Sequence, residues 1–202
     1  MKRQQIFALA MAAFLILAGA VMASGGRSGD LGMAPAIGAT VEDFTLPDTD
    51  GKDHTLSSLR GKNGSVLIFI SVQCPISNAY NDRMAKLAAD YAARGISVIG
   101  INSNSTEPAE AVKAHAAQKH LTFAILKDPG NKIADRLGAE HTPEAYFLDA
   151  NNRLLYHGRI DNSKEPAQVE TNDLRDALDS ALAGKPVQKA TSLAFGCSIK
   201  RA

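Results

Sequence analysis

The chain is short of several things that would assign it quickly. It has two cysteines in 202 residues, too few for a scaffold stapled by several disulfides. Lys and Arg number 22 against 21 Asp and Glu. This balance gives no electrostatic reason to bind nucleic acid or a strongly acidic partner. No Cys-x-x-Cys and no His-x-x-x-His occurs, so a dedicated metal site has no motif behind it, and no cofactor is called for. There is no internal repeat, and no low-complexity stretch beyond residues 24–40.

One long apolar run is present, at the start. Lys2 and Arg3 precede it, residues 6–21 form it, and Val21-Met22-Ala23 gives it a small-residue exit before Ser24-Gly25-Gly26. The run falls short of the ~20 residues a spanning helix prefers. Residues 1–23 therefore read as a secretory signal peptide, with membrane contact only if the segment stays uncleaved. The expected location is periplasmic or secreted. There a disulfide between Cys74 and Cys197 can persist. Spacing alone leaves three readings open: a structural disulfide, a redox-active pair, or two independent thiols.

Beyond a Gly/Ser/Ala-rich leader at 24–40, the signals become regular. Two short strands around the Asp48-to-Lys52 turn form a hairpin at 44–56. The continuous apolar stretch 66–71 predicts a strand buried on both faces. Tyr80, Met84, Leu87, Ala88 and Tyr91 share one face of a helix predicted over 75–94, which Gly95 stops. Further elements follow: a strand at 96–101, a helix over 106–120 with Thr106 as its cap, a strand at 123–126, a short helix at 133–137, a hairpin of 144–148 with 154–158, and a helix over 173–183. The order predicts an α/β mixed sheet with helices on both faces.

Cys74 falls where the buried strand hands over to the helix, in Ser71-Val72-Gln73-Cys74-Pro75-Ile76-Ser77. A thiol there meets free backbone N–H groups and the positive end of the helix, both of which favour thiolate, the nucleophilic form. Asn102, Ser103 and Asn104 end the neighbouring strand at the same sheet edge, as substrate ligands or turn residues. His141 precedes a Thr-Pro pair and is the histidine best placed to neighbour the thiol.

Several segments together resemble a thioredoxin-fold protein of the AhpC/TSA–redoxin group. They are Phe44-Thr45-Leu46-Pro47-Asp48-Thr49-Asp50-Gly51-Lys52, the strand ending at Cys74-Pro75, and Thr142-Pro143-Glu144-Ala145-Tyr146-Phe147-Leu148-Asp149. Four more segments resemble an exported, peroxiredoxin-like branch: Cys74 to Tyr80, Gly100 to Asn104, Tyr156 to Asp161, and Gly196-Cys197-Ser198-Ile199-Lys200. The resemblance implies a thioredoxin-like domain over 41–183, with the N-terminal hairpin as an extension and 184–202 as a tail. It implies a cis Pro143 facing Cys74, and a backbone edge at Thr142 open to an extended substrate.

Departures from the family pattern narrow the chemistry. Ser77 stands where a thioredoxin's second thiol would be, so any resolving thiol must be distant. This leaves Cys197, provided that the tail folds back. Ser77 remains a hydrogen-bond donor to the thiolate. Ser71 fills the Thr position of a peroxiredoxin motif, Leu67 replaces its Pro, and Pro143 takes the place of the usual Arg, which leaves Arg159 to supply positive charge. The resemblance thus implies a thiol oxidoreductase acting on a peroxide or a protein disulfide, with Cys74 attacking, Cys197 resolving and a separate thiol reductant. Two other readings stand beside it. One is a copper-binding protein on the same fold, weakened by Asn78 where a second thiolate would sit. The other is a non-catalytic interaction domain with a structural disulfide.

Overall fold

Alternate residues of one strand build two separate cores. In the computed structural model, which describes residues 34–201, β3 (Gly64–Phe69) is buried along its whole length. Val66 and Ile68 pack on one side with Tyr80, Met84, Leu87, Tyr91, Leu174 and Leu178. Leu67 and Phe69 pack on the other with Leu56, Ile133, Leu137, Tyr146 and Leu148. Side chains alternate faces along a strand, so an apolar run without polar breaks needs cover on both sides.

The elements run in chain order as β1 (Thr45–Pro47), β2 (Asp53–Thr55), α1 (Leu56–Leu59), β3, α2 (Pro75–Ala79), α3 (Asn81–Ala92), β4 (Ile96–Asn102), α4 (Ala109–Gln118), β5 (Ala124–Lys127), α5 (Lys132–Leu137), β6 (His141–Thr142), β7 (Glu144–Asp149), β8 (Leu154–Gly158), α6 (Asp173–Leu182) and β9 (Cys197–Ser198). β7 pairs antiparallel with both β3 and β8, and β4 pairs parallel with β5. β4 lies beside β3, where Ile70 N–H donates to the Ile101 carbonyl at 2.9 Å. The central sheet is thus β5-β4-β3-β7-β8, mixed as expected. The β1–β2 hairpin joins it through a bridge between Asp48 and Leu126.

The structure departs from the sequence-based expectations in five places. The helix expected over 75–94 is two, parted at Tyr80 (φ −100°, ψ −3°), whose N–H donates to the Ser77 carbonyl three residues back in a tightened turn. Periodicity misses this break because the apolar face resumes in phase: Ile76 of α2 packs against the same cluster that holds Tyr80, Met84, Leu87 and Tyr91. The hairpin runs directly into α1, a single turn capped by Thr55. Thr106 does not cap α4, which starts three residues later behind Pro108.

The leader expected over 24–40 is tied down at its end. Gly38 N–H donates to the Leu154 carbonyl, and Leu154 N–H donates to the Ala39 carbonyl. The tail is the largest difference. His157 N–H donates to its Ala190 carbonyl and the His157 carbonyl accepts from Ser192 N–H, Val187 and Phe195 pack on one core, Ile199 enters the other, and β9 pairs with β6. The expected signal peptide lies outside the described residues. Among those described, no helix is long and apolar enough to cross a membrane.

Candidate active site

The two cysteines meet at the carboxyl end of β3. Cys74 and Cys197 form a disulfide across 123 positions, with their Cα atoms 5.8 Å apart. Two local structures deliver them. Cys74 is the N-cap of α2, with Pro75 in the first turn, where a missing N–H costs nothing. Cys197 arrives on β9, directly opposite Thr142 in the antiparallel β6–β9 ladder. The Thr142–Pro143 peptide bond is cis. The Thr142 carbonyl oxygen lies 3.2 Å from Cys74 Sγ, so the Thr-Pro bend and the sulfur face each other directly. In this state Cys74 is only 2% exposed.

The helix start acts on the sulfur as its geometry predicts. Ser77 N–H donates to Cys74 Sγ at 3.3 Å. The Ser77 hydroxyl takes another part: it accepts from Ser71 N–H at 3.1 Å. The donor to the sulfur is thus the backbone of residue 77. Ser71 is the hinge of the turn, and its hydroxyl accepts from the N–H groups of Cys74 (3.0 Å) and Gln73 (3.2 Å). It also donates to Glu107 at 2.6 Å.

Glu107 was not singled out in the sequence, yet it organises the turn. It is 1% exposed. Besides Ser71 it accepts from Val72 N–H (3.0 Å), Gln73 N–H (3.0 Å), and the amides of Asn104 (3.0 Å) and Asn102. Burial alone would raise its pKa, but the bonds from Ser71, Asn102, Val72 and Gln73 outweigh that and hold it below the usual carboxylate range. Lys127 lies alongside, donating to the Glu107 carbonyl at 2.6 Å, and burial lowers its own pKa. Glu107 stands before a proline just past β4, so it reads in sequence as a helix start. The available signal was an acid at the carboxyl end of the strand next to that of Cys74. Asn102 and Asn104 serve this carboxylate, while Ser103 donates to Asp128.

The cis-proline side has its own buried acid. Glu144 accepts from the N–H groups of Glu140 and His141, both at 2.8 Å, from the Tyr146 hydroxyl at 3.0 Å, and pairs with His157 Nε2 at 2.6 Å. Burial pushes its pKa up; the bonds from His157, His141 and Glu140 bring it below the ordinary value. Tyr146 stacks on His157 with ring centroids 4.2 Å apart, and its own hydroxyl is pushed far up by burial. His141 joins the site through its backbone, opposite Ser198.

Arg159 is a correction. The expectation gave it to the thiol, but its guanidinium bonds Asp173 (2.8 Å) and Thr171 (3.4 Å) at the start of α6. Asp173 is buried. Burial raises its pKa, but Arg159, Lys189 and Thr171 together lower it to about 2. A buried carboxylate needs such partners, and Arg159 is one of them. Asp161 receives the Tyr80 hydroxyl (2.8 Å) and Arg83 (2.7 Å). Among the described residues, no group of three or more His, Cys, Asp or Glu side chains is arranged to hold a metal ion.

The model of the AhpC/TSA family matches residues 37–157, a span that includes Cys74, Glu107 and the Thr142–Pro143 bend. The chain belongs to the AhpC/TSA family. Among its relatives is the thiol-disulfide oxidoreductase ResA of Geobacillus thermodenitrificans, 30% identical over 60% of this chain and 68% of that protein. Another is the chloroplastic peroxiredoxin Q of Sedum lineare, 30% identical over 63% of this chain and 72% of that protein. A solved structure of a hypothetical protein from Sinorhizobium meliloti 1021 superposes with a TM-score of 0.77 at 33% identity, covering 85% of this chain and 98% of that one. The fold of this AhpC/TSA protein is thioredoxin-like. With its joined cysteine pair, it is an oxidoreductase that works through its thiols.

Proposed function

We propose that this protein is an exported thiol–disulfide oxidoreductase that cycles between a Cys74/Cys197 dithiol and the disulfide described above. The carrying observation is the disulfide itself, formed against the Thr142–Pro143 bend. In the reduced form the Cys74 thiolate, favoured by the Ser77 N–H and the start of α2, attacks one sulfur of a substrate protein's disulfide. A mixed disulfide forms, and the other substrate sulfur leaves as thiolate. Cys197 thiolate then attacks Cys74 Sγ, closing the internal disulfide and releasing the second substrate thiolate. The substrate gains two electrons, the protein loses two, and an external dithiol restores it. Ser71 and Glu107 are positioning residues, since they hold the turn and do not touch the reacting sulfurs.

The likeness to peroxiredoxin Q favours one second reading, with a peroxide as the oxidant. The Cys74 thiolate takes one peroxide oxygen as sulfenic acid and the alcohol or water leaves. Cys197 condenses with the sulfenic acid, releasing water and giving the same disulfide. Export rests on Lys2, Arg3 and the apolar run behind them, with cleavage before Ser24. It agrees with a cysteine pair suited to an oxidising compartment.

Turnover of a protein disulfide and of hydrogen peroxide should be measured side by side on the parent and on Cys74→Ser. The expected result is disulfide turnover abolished by the substitution. Peroxide turnover alone, lost in the same variant, moves the assignment to the second reading. Full activity in Cys74→Ser defeats both, as does a mature protein that keeps two free thiols after mild oxidation.

A further inference from the structure

The resolving segment does more than carry a sulfur to Cys74. It lies across the carboxyl end of the sheet from one core to the other, and five of the six residues 195–200 each meet a different feature. Phe195 sits on the first core, edge-on to Tyr80 with ring centroids 6.3 Å apart. Gly196 passes over the Thr-Pro bend at φ +157°, and a Cβ there would run into the Thr142 carbonyl oxygen. Cys197 pairs with Thr142. Ile199 is buried in the second core, and its N–H donates to the Glu140 carbonyl at 2.9 Å. Lys200 N–H donates to the Asn104 side chain at 2.7 Å, and its carbonyl accepts from Ser105 N–H at 2.9 Å.

With this segment in place Cys74 is sealed, so a protein substrate reaches the sulfur only through the groove that the segment vacates. Resting on the exchange reading above, we infer that the segment 195–200 is a built-in template of the substrate. The preferred partner is an extended protein segment with a glycine directly before its reactive cysteine and an aliphatic residue two positions after it. Selection against a side chain before the cysteine comes from the Thr142 carbonyl, which is backbone and cannot step aside. Selection for the aliphatic residue comes from the second core, which loses its cover when Ile199 leaves. The segment therefore also acts as a competitor. The oxidised protein has a closed groove, and reduction opens it. The reacting step is the one already balanced: Cys74 thiolate takes the substrate cysteine's sulfur into a mixed disulfide, and that cysteine's former partner leaves as thiolate.

The test uses the full chain carrying Cys197→Ser, which stops at the mixed disulfide. The probes are hexapeptides whose cysteine bears a nitrothiobenzoate leaving group, so that each attack releases a coloured thiolate. Phe-Gly-Cys-Ser-Ile-Lys should react fastest. Replacing its glycine by valine, or its isoleucine by aspartate, should slow the reaction by about tenfold or more. Adding Gly196→Val to Cys197→Ser should evict the protein's own segment and raise the rate with the parent peptide by about tenfold. Equal rates for all three peptides on both variants overturn the template while leaving thiol exchange intact. Failure to react with these peptides and with free dithiobis(nitrobenzoate) alike removes the exchange reading, and the template with it.

Discussion

Two buried carboxylates hold the two halves of the site, and they do so with different partners. Glu107 fixes the Cys74 turn through neutral donors only: two backbone N–H groups, one hydroxyl and two amides. Glu144 fixes the cis-proline side through two backbone N–H groups and a hydroxyl, but its fourth partner is His157. Each acid replaces the regular hydrogen bonding that an irregular loop forgoes. On the Cys74 half the neighbouring cation, Lys127, bonds the backbone carbonyl of Glu107 and not its carboxylate. On the cis-proline half an imidazole bonds the carboxylate directly. A cage of neutral donors thus lies under Cys74, and a carboxylate–imidazole pair under the Thr142–Pro143 bend.

The comparison breaks most visibly if Glu107 is removed. Glu107→Leu takes an acceptor from the Val72 N–H, the Ser71 hydroxyl and the Asn102 and Asn104 amides, and leaves the Gln73 N–H with the Ser71 hydroxyl alone. It should cost about 3–5 kcal/mol in urea unfolding, together with most of the exchange activity. A loss under about 1 kcal/mol would mean that the turn holds itself. On the other half, His157→Phe keeps the stacked ring on Tyr146 but deletes the bond to Glu144. About 1–2 kcal/mol is expected, with a change in protein-substrate turnover and none in the alkylation rate of the reduced Cys74. Equal effects on both rates would erase the distinction between the halves.

The smallest effect is in acid. Both carboxylates have folded pKa values below those of the unfolded chain. Their stabilisation is complete above the unfolded value of about 4.3 and fades as pH falls through the lower folded values. Unfolding free energy followed from neutrality downwards should fall along that limb. Glu107→Gln should remove one share of the slope and leave that of Glu144. An unchanged slope would show that Glu107 titrates alike in both states.

Much of this was legible in the chain. A run such as Val66 to Ile70 admits few outcomes but a strand covered on both faces, and a cysteine followed by proline at its end sets a thiol at a helix start. These are matters of local geometry and period, which neighbouring residues settle among themselves. The break at Tyr80 was hidden because both helices present the same apolar stripe, and nothing local marks that the Tyr80 hydroxyl binds Asp161, 81 positions away. Glu107 was hidden because its donors come from a turn 34 to 36 positions earlier. Arg159 was misassigned because charge attraction has no period, and Asp173 claimed it.

The sequence by itself determined the mixed sheet and the place of Cys74 where a buried strand hands over to a helix. Only the tertiary structure decided that Cys197 lies opposite Thr142, that its segment passes over the Thr142–Pro143 bend, and that two acids frame the site. The physical reason is one of range. Strands and helices follow from φ/ψ preference and the placement of apolar side chains within a few residues. The pairing of β9 with β6, by contrast, follows from burying Phe195 and Ile199 in two cores that exist only once the sheet has formed.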